Sequence, residues 1–139
     1  MSTTTRPELS QKNKYWIERH RYYELKHFCL QYPIWKKAYQ SLDGWAKRQT
    51  DVERSGPSGG HSDPTEQNAE ARVYYLDHMK MVEQAAISTD DFLYTYLLTA
   101  VTEGFSYEIL KARLDIPCCK DTYYELYRRF FWLLSKARN

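Results

Sequence analysis

The sequence predicts an all-α protein of five to six helices that ends in a helix-turn-helix with a long final helix. Its 139 residues include thirteen tyrosines but only five glycines and five prolines, a composition that favours packed helices over disorder. Apolar residues recur at helical spacing, most clearly where Tyr123, Tyr127, Phe130 and Leu134 advance by four, three and four positions. Residue patterns typical of helix ends separate the candidate helices from one another.

The N-terminal part, residues 1–48, is predicted to hold a pair of helices. The first runs from about residue 11 to residue 32 and is ended by Pro33, which suits the first position of the second helix. Residues 49–62 are rich in glycine and serine and are interpreted as a flexible linker or loop. The rest of the chain, residues 63–139, is predicted to form a helical core that includes the C-terminal helix-turn-helix.

Two capping patterns mark the first helices of this core. The tetrapeptide DPTE at residues 63–66 combines an N-cap acid, a proline at the first helical position and a glutamate three residues after the cap. A third helix is therefore predicted from Pro64 to about residue 87. Ser88 and Asp91 form a similar cap, which predicts a fourth helix over residues 89–103.

Gly104 and Ser106 lie where the fourth helix should give way to a short fifth one. Gly104 is expected to end the fourth helix in the left-handed conformation. Ser106 is expected to cap the fifth helix, with Glu108 in its first turn. The residues expected to face the core from this short helix are Ile109, Leu110 and Leu114.

The final helix is predicted to begin near Cys118 or Cys119, after Pro117 has forced a turn. Placed at about 100° per residue, its side chains fall on two sides with different chemistry. The inward side carries Tyr123, Leu126, Tyr127, Phe130, Leu133, Leu134 and Ala137. The outward side carries Lys120, Asp121, Tyr124, Glu125, Arg128, Trp132 and Ser135. Two helices joined by such a turn form the unit that places its second helix in the major groove of DNA.

The C-terminal third of the chain resembles a family of phage regulators. The residues that carry the resemblance are Tyr107, Leu110, Pro117, Lys120, Tyr123, Tyr124, Arg128, Arg129 and Phe130. They resemble the C-terminal part of late-gene transcriptional activators of the ArpU and RinA type, whose helix-turn-helix is similar to sigma factor region 4. Over most of its length the chain is also similar to uncharacterised prophage proteins of Gram-positive hosts. The first resemblance implies sequence-specific binding of double-stranded DNA and regulation of phage or prophage transcription.

Six residues are the candidate DNA contacts on this interpretation. They are Lys111, Lys120, Thr122, Tyr124, Arg128 and Arg129. Lys120 and Tyr124 are expected to approach base edges, Thr122 to contact a base or a phosphate, and the other three to hold phosphates. One short helix covers few base pairs, so specificity is expected to need a homodimer or an RNA polymerase partner.

The formal net charge of +2 is unevenly distributed along the chain. Residues 1–40 hold eight basic residues (Lys or Arg) and three acidic ones. Residues 41–104 hold five basic and eleven acidic residues, and residues 105–139 hold seven basic and four acidic residues. Basic ends suit contact with nucleic acid and an acidic middle suits contact with protein, although the solvent faces of any helical protein carry charge. Within residues 12–26, cations interleave with aromatic residues, a mixture that either binds nucleic acid or packs rings beside solvated cations.

The three cysteines and four histidines show no metal-binding spacing. Cys118 and Cys119 are adjacent, Cys29 is far from both, and neither CxxC nor HxxxH occurs. Unpaired cysteines fit a reducing cytosol, so a cytoplasmic protein without metal or cofactor is expected. Only Cys119, at a helix N-terminus, has an electrostatic reason for a lowered pKa. No signal peptide is visible, and no apolar run approaches the roughly 20 residues that a membrane span needs.

Enzymatic activity is not expected, because the chain lacks a P-loop, a dinucleotide-binding fingerprint and a catalytic triad spacing. Two alternative functions stay open. Asp121, Glu125 and an exposed Trp132 on the outward side favour a protein-protein interaction module that docks on a host or phage protein. A DNA-recognising small subunit of a phage packaging terminase would share the helix-turn-helix but would form a ring oligomer.

Overall fold

The computed structural model describes the backbone of residues 12–53 and 64–138 and the side chains of residues 12–42 and 66–138. Within these ranges the chain forms six helices and no strand. They are α1 (Arg19–Leu30), α2 (Tyr32–Glu53), α3 (Pro64–Thr89), α4 (Tyr94–Glu103), α5 (Tyr107–Leu114) and α6 (Lys120–Ala137). The predicted all-α fold with a C-terminal helix-turn-helix and a long final helix is confirmed. None of the helices described is both long enough and apolar enough to cross a membrane.

The chain divides into two compact units. The first unit draws on Met1–Tyr32 and Met81–Asn139, and the second on Pro33–Lys80. In the first unit α1 packs with α4 and α6, and α4 packs with α5. Helix α1 therefore belongs with the C-terminal helices.

This division differs from the one predicted from the sequence. The prediction grouped α1 with α2 in residues 1–48, but the aromatic side chains of α1 pack on α6, where the rings of Tyr22 and Phe131 lie 5.2 Å apart. Residues 49–53 of the predicted linker continue α2, and residues 54–62 lie outside the described part of the chain.

Helix α1 is shorter than predicted because Glu18 supplies its N-cap. The Glu18 carboxylate accepts hydrogen bonds from the backbone N–H groups of His20 at 2.9 Å and Arg21 at 3.4 Å. These donors belong to the first turn, which has no partners within the helix. Residues 12–18, predicted as part of this helix, are not helical. Gln31 then separates α1 from α2.

Helix α4 begins later than predicted, because Asp90 organises the turn before it. The Asp90 carboxylate accepts hydrogen bonds from the backbone N–H groups two and three residues later, each at 2.8 Å, and the helix starts at Tyr94. The predicted cap of Ser88 and Asp91 is therefore wrong. Gly104 ends α4 at φ 76° and ψ 31°, which confirms the left-handed stop.

The core of the first unit lies between α1, α4 and α6. Leu25 of α1 and Phe130 and Leu134 of α6 have no exposed surface, and Leu97 of α4 has 2%. Burying a large apolar side chain contributes roughly 1.5–3 kcal/mol to folding relative to leaving it in water. These residues fix which side of α6 faces the protein.

The C-terminal end of α6 is held against α1 by polar contacts. The Arg21 guanidinium donates to the Ser135 hydroxyl at 3.1 Å and to the Ser135 carbonyl at 2.9 Å. Its other end pairs with Glu24 at 2.6 Å, and Glu24 also lies 3.8 Å from Arg138. Ser135, predicted on the outward side, thus contacts α1.

The second unit joins α2 to the first part of α3 through an edge-to-face contact of two rings. Trp35 is 4% exposed, and its ring lies 5.1 Å from that of His78. Three apolar side chains of this unit remain in solvent, with 66% of Ile34, 57% of Val73 and 54% of Tyr74 exposed. Exposed apolar side chains of this size are typical of surfaces that bind another molecule when they cluster.

Candidate functional site

Helix α5 begins as predicted. The Ser106 hydroxyl accepts a hydrogen bond from the backbone N–H of Ile109 at 3.3 Å, and Glu108 places a carboxylate in the first turn. Leu110 is fully buried as predicted, whereas Leu114 is 42% exposed and was wrongly predicted to face the core. Because α5 has only eight residues, packing against the other helices stabilises it more than its own helix propensity.

The chain after α5 takes up a left-handed conformation. Asp115 has φ 50° and ψ 52°, and it is the only non-glycine residue in the described part with a positive φ. The Asp115 N–H donates to the Lys111 carbonyl at 3.2 Å, which closes the helix with an αL motif, and the Ile116 N–H points back to the Leu110 carbonyl at 3.5 Å. Ile116 is thereby folded into the core with 1% exposed, where it takes the inward place predicted for Leu114.

Two side-chain hydrogen bonds tie this turn to α5. The Tyr107 hydroxyl donates to the Cys118 carbonyl at 2.7 Å, and the Lys111 ammonium donates to the Ile116 carbonyl at 3.3 Å. The bond from Lys111 holds the start of the turn, and the bond from Tyr107 reaches Cys118, directly before the N-cap of α6, so a shift of α6 relative to α5 would strain the latter. The start of α6 is therefore held in a defined position.

Helix α6 starts at Lys120 with Cys119 as its N-cap, close to the predicted start. Its first turn exposes Lys120, Asp121 and Thr122. The Cys119 thiol lies 3.2 Å from the Thr122 hydroxyl, and hydrogen bonding with Thr122 lowers the pKa of the thiol. Unpaired N–H groups and the helix dipole make such an end attractive to anions.

Two of the predicted DNA contacts form ion pairs within the protein. The Lys120 ammonium lies 2.8 Å from the Glu108 carboxylate, and the Lys111 ammonium lies 3.3 Å from that of Asp115. The hydrogen bond between Lys120 and Glu108 lowers the pKa of the carboxylate and raises the pKa of the lysine. Solvent reaches all four side chains, and exposed ion pairs contribute at most about 1 kcal/mol. A phosphate can therefore replace either carboxylate at little cost.

The predicted outward side of α6 is wrong at two aromatic residues. Tyr124 is only 9% exposed, and its ring lies 5.2 Å from that of Tyr123 inside the protein. Trp132 is half-buried beneath Tyr15, with 5.4 Å between the ring centroids. The buried side of α6 is wider than the predicted stripe because α1 also covers Phe131, which is 1% exposed.

The two arginines predicted to hold phosphates differ in exposure. The Arg128 side chain is 15% exposed, lies 3.6 Å from Glu125, and has a buried Nε without a partner among the described residues. Arg129 is exposed and donates to the Ser88 carbonyl at 3.4 Å. Arg129 can therefore reach a phosphate, whereas Arg128 lies against the protein.

The exposed side of α6 is chemically mixed. Its exposed residues are Lys120, Asp121, Thr122, Glu125, Arg129, Lys136 and Ala137. Three basic side chains thus lie beside two acidic ones. This side of α6 offers polar groups that can hydrogen-bond a ligand, but its mixed charge attracts a polyanion only weakly.

Behind the turn, a cavity of about 270 Å³ lies where α1, α4, α5 and α6 meet. Aromatic rings line most of it, among them Tyr22 of α1, Tyr107 of α5 and Tyr127 of α6. The cavity is not filled from the side of α4, because the residues there and just after it, such as Ala100, are small. Lys26 is the only charged residue among those that line the cavity.

The hydroxyl groups around the cavity differ in their pairing. Those of Tyr22 and Tyr127 lie 2.8 Å apart and share a hydrogen bond. The Tyr123 hydroxyl is buried and has no partner among the described residues. Burial raises the pKa of both Tyr123 and Tyr127. A buried hydroxyl left unpaired costs roughly 1–3 kcal/mol, so Tyr123 would gain from a partner.

Only an indirect sign of this cavity is present in the sequence. The mixed cations and aromatic residues of 12–26 are predicted either to bind nucleic acid or to pack, and Tyr22, Tyr23 and Lys26 among them line the cavity. The site itself could not be predicted, because its walls combine α1 with α4, α5 and α6, which lie far from α1 along the chain.

Comparison of the chain with known protein families, with curated proteins and with solved structures finds no match. In the parts of the chain that the structure describes, no group of three or more His, Cys, Asp or Glu side chains is placed to hold a metal ion. The helix-turn-helix and the cavity behind it are the two features that bear on function.

Proposed function

We propose that this chain binds double-stranded DNA through α5 and α6 and regulates phage or prophage transcription. The observation that carries the proposal is the exposed first turn of α6, held in place by the bonds from Tyr107 and Lys111. In helix-turn-helix proteins this part of the second helix enters the major groove, and its N-terminal residues contact base edges. The resemblance to late-gene activators supports the same function.

Three exposed residues of the first turn of α6 are the base-contact candidates. Lysine pairs with the N7 and O6 acceptors of guanine, threonine contacts several bases, and aspartate accepts from N4 of cytosine. Lys120, Thr122 and Asp121 offer these groups in one turn. Asp121 repels phosphates, so its contribution would be sequence preference rather than affinity. Tyr124 is not a candidate, because it is buried.

The phosphate contacts come from exposed cations on α5 and α6. Lys111, Arg113 and Arg129 are exposed, whereas Arg128 is too enclosed to contribute without moving. So few contacts give a modest affinity and a correspondingly shallow dependence on salt. A second copy of the chain, or RNA polymerase on the same promoter, would supply the remaining contacts.

The test is fluorescence polarisation of the full chain with duplex DNA from its own genomic neighbourhood, over a range of salt concentrations. Arg113→Ala with Arg129→Ala is compared with Lys36→Ala with Lys37→Ala, where Lys36 and Lys37 are two exposed lysines of α2. Both variants lose the same charge. The first is expected to bind more weakly and to reduce the salt slope by about 2, and the second is expected to bind as the parent does.

Two outcomes would overturn the proposal. One is binding no stronger than that of an albumin control at low salt. The other is an equal loss in both variants, which would indicate attraction by overall charge alone. Light scattering of the same sample distinguishes a dimer from the ring expected of a terminase small subunit.

A second candidate function, docking on another protein, is favoured by the exposed apolar side chains of the second unit. Ile34, Val73 and Tyr74 are each more than half exposed. A partner captured from nuclease-treated host lysate should be lost when Val73→Lys and Tyr74→Lys are introduced, while DNA binding is unchanged. Retention of the partner by this variant would exclude the surface.

A further inference from the structure

The cavity behind the helix-turn-helix is large for a packing void. Protein interiors contain few voids bigger than a water molecule, whereas pockets for small molecules begin at roughly 300 Å³. At about 270 Å³ the cavity lies near that lower bound. The volume suits a single fused-ring molecule rather than a nucleotide or a peptide.

The apolar walls favour a flat aromatic occupant. Rings of Tyr22 and Phe131 stand nearly perpendicular at 79°, and Tyr127 and Phe131 lie 4.9 Å apart at 62°. Edge-to-face arrangements of this kind present both ring faces and ring edges to a guest. Ala100 and Gly104 have no bulk to fill the space between the rings.

The polar groups in the lining favour a negative charge on that occupant. Ser106 and Tyr107 already bond within the protein, as do the hydroxyls of Tyr22 and Tyr127. The unpaired Tyr123 hydroxyl has no accessible surface toward the cavity, whereas half-buried Lys26 lines it and forms no ion pair within the described chain. An ammonium group beside aromatic rings suits the carboxylate of an aromatic acid.

We propose that this cavity is a binding site for a small aromatic carboxylate. Its ring packs among the tyrosine and phenylalanine side chains. Its charge is balanced by Lys26. The site involves ligand binding alone and stands whether or not the chain binds DNA.

The first measurement is isothermal titration calorimetry of the full chain with indole-3-acetate. Its neutral primary amide and the aliphatic acid hexanoate serve as matched probes that lack the charge and the ring. We expect indole-3-acetate to bind with a Kd of about 1 mM or tighter, as befits a ligand of this size. The amide and hexanoate are each expected to bind about tenfold more weakly.

Variants then assign the binding to this cavity. Lys26→Met keeps the apolar stem and removes the charge, so it should weaken the acid about tenfold and leave the amide unchanged. Lys37→Met, at an exposed position of α2, is the matched control and should bind both probes normally. Tyr123→Phe removes an unpaired hydroxyl that has no surface in the cavity, so it should raise the melting temperature without ligand and leave the rise that the acid produces unchanged.

Three results would overturn the proposal. They are an absence of heat or thermal shift with indole-3-acetate at millimolar concentration, equal binding of the acid and its amide, and an equal response of Lys26→Met and Lys37→Met. Circular dichroism of each variant establishes that it is folded.

Discussion

The inner side of α6 packs against other helices, whereas its outer side is exposed to solvent. On the inner side, Tyr123, Phe130 and Leu134 are at most 2% exposed and pack against other helices. On the outer side, Asp121 and Glu125 are exposed and have little to pack against. The inner side therefore determines where the helix lies, while the outer side is free to carry binding chemistry without loss of stability.

The same contrast between packed and exposed side chains divides the residues predicted to contact DNA. Arg128 and Tyr124, both predicted as DNA contacts, are largely enclosed by the packing of the protein. The cations that remain exposed, such as Lys120 and Arg129, contribute little to the fold and so remain open to a ligand. Substitutions on the two sides should separate stability from binding.

The largest effect is expected from Phe130→Ala, compared with its neighbour in sequence, Arg129→Ala. The Phe130 ring is fully buried, so its removal should lower the free energy of unfolding by about 3–5 kcal/mol. Arg129→Ala should change it by no more than about 0.5 kcal/mol, since the side chain is exposed. Urea denaturation followed by circular dichroism measures both. Similar losses in the two variants would contradict the packing described for α6.

An intermediate effect is expected at the turn that positions α6. Asp115→Val places a β-branched residue at φ 50° and should cost about 1–2 kcal/mol, whereas Asp115→Gly should stay within about 1 kcal/mol of the parent. Glu125→Val, on the outer side of α6, is the matched control. Thermal denaturation ranks the three, and a tolerated Asp115→Val would mean that the turn is not held in this conformation.

The smallest effect is expected from the ion pair between Lys120 and Glu108. Because the folded-state pKa of Glu108 is lowered, the pair stabilises the fold above the unfolded-state pKa, and this stabilisation is lost as pH falls through the lowered value. The raised pKa of Lys120 has the opposite sign, so its contribution is lost as pH rises through that value.

NMR titration of the Glu108 carboxyl tests this pair directly. Lys120→Met should return the Glu108 pKa to its ordinary range, while Lys111→Met should leave it unchanged. A Glu108 pKa that stays low in Lys120→Met would assign the shift to the helix N-terminus instead. Stability should differ little between the two variants, because both lysines are exposed.

Local signals predicted most of the fold. Ser106 and Gly104 act as the helix boundaries expected of them, and the stripe through Phe130 and Leu134 is buried as its spacing indicated. Each of these features depends on neighbours within a few positions. The start of α4 was missed because Ser88, Asp90 and Asp91 all offer a capping side chain, and only the folded backbone selects Asp90.

Long-range packing accounts for what the sequence could not predict at the site. Tyr124 and Trp132 lie at the borders of the helical stripe, where the position of α1 and the chain before it decides burial. The burial of Ile116 follows from the left-handed Asp115, a conformation that residue type alone seldom indicates. The cavity depends on how four helices meet, which no spacing along one helix reveals.

The start of α6 also offers a chemical handle. Burial raises the pKa of Cys29 strongly and that of Cys118 as well, whereas hydrogen bonding with Thr122 lowers the pKa of exposed Cys119. Thiolates are the reactive form, so a maleimide dye at neutral pH should label Cys119 first. The native chain can thus carry a fluorescent reporter at the edge of the proposed DNA-binding surface, with no cysteine added or removed.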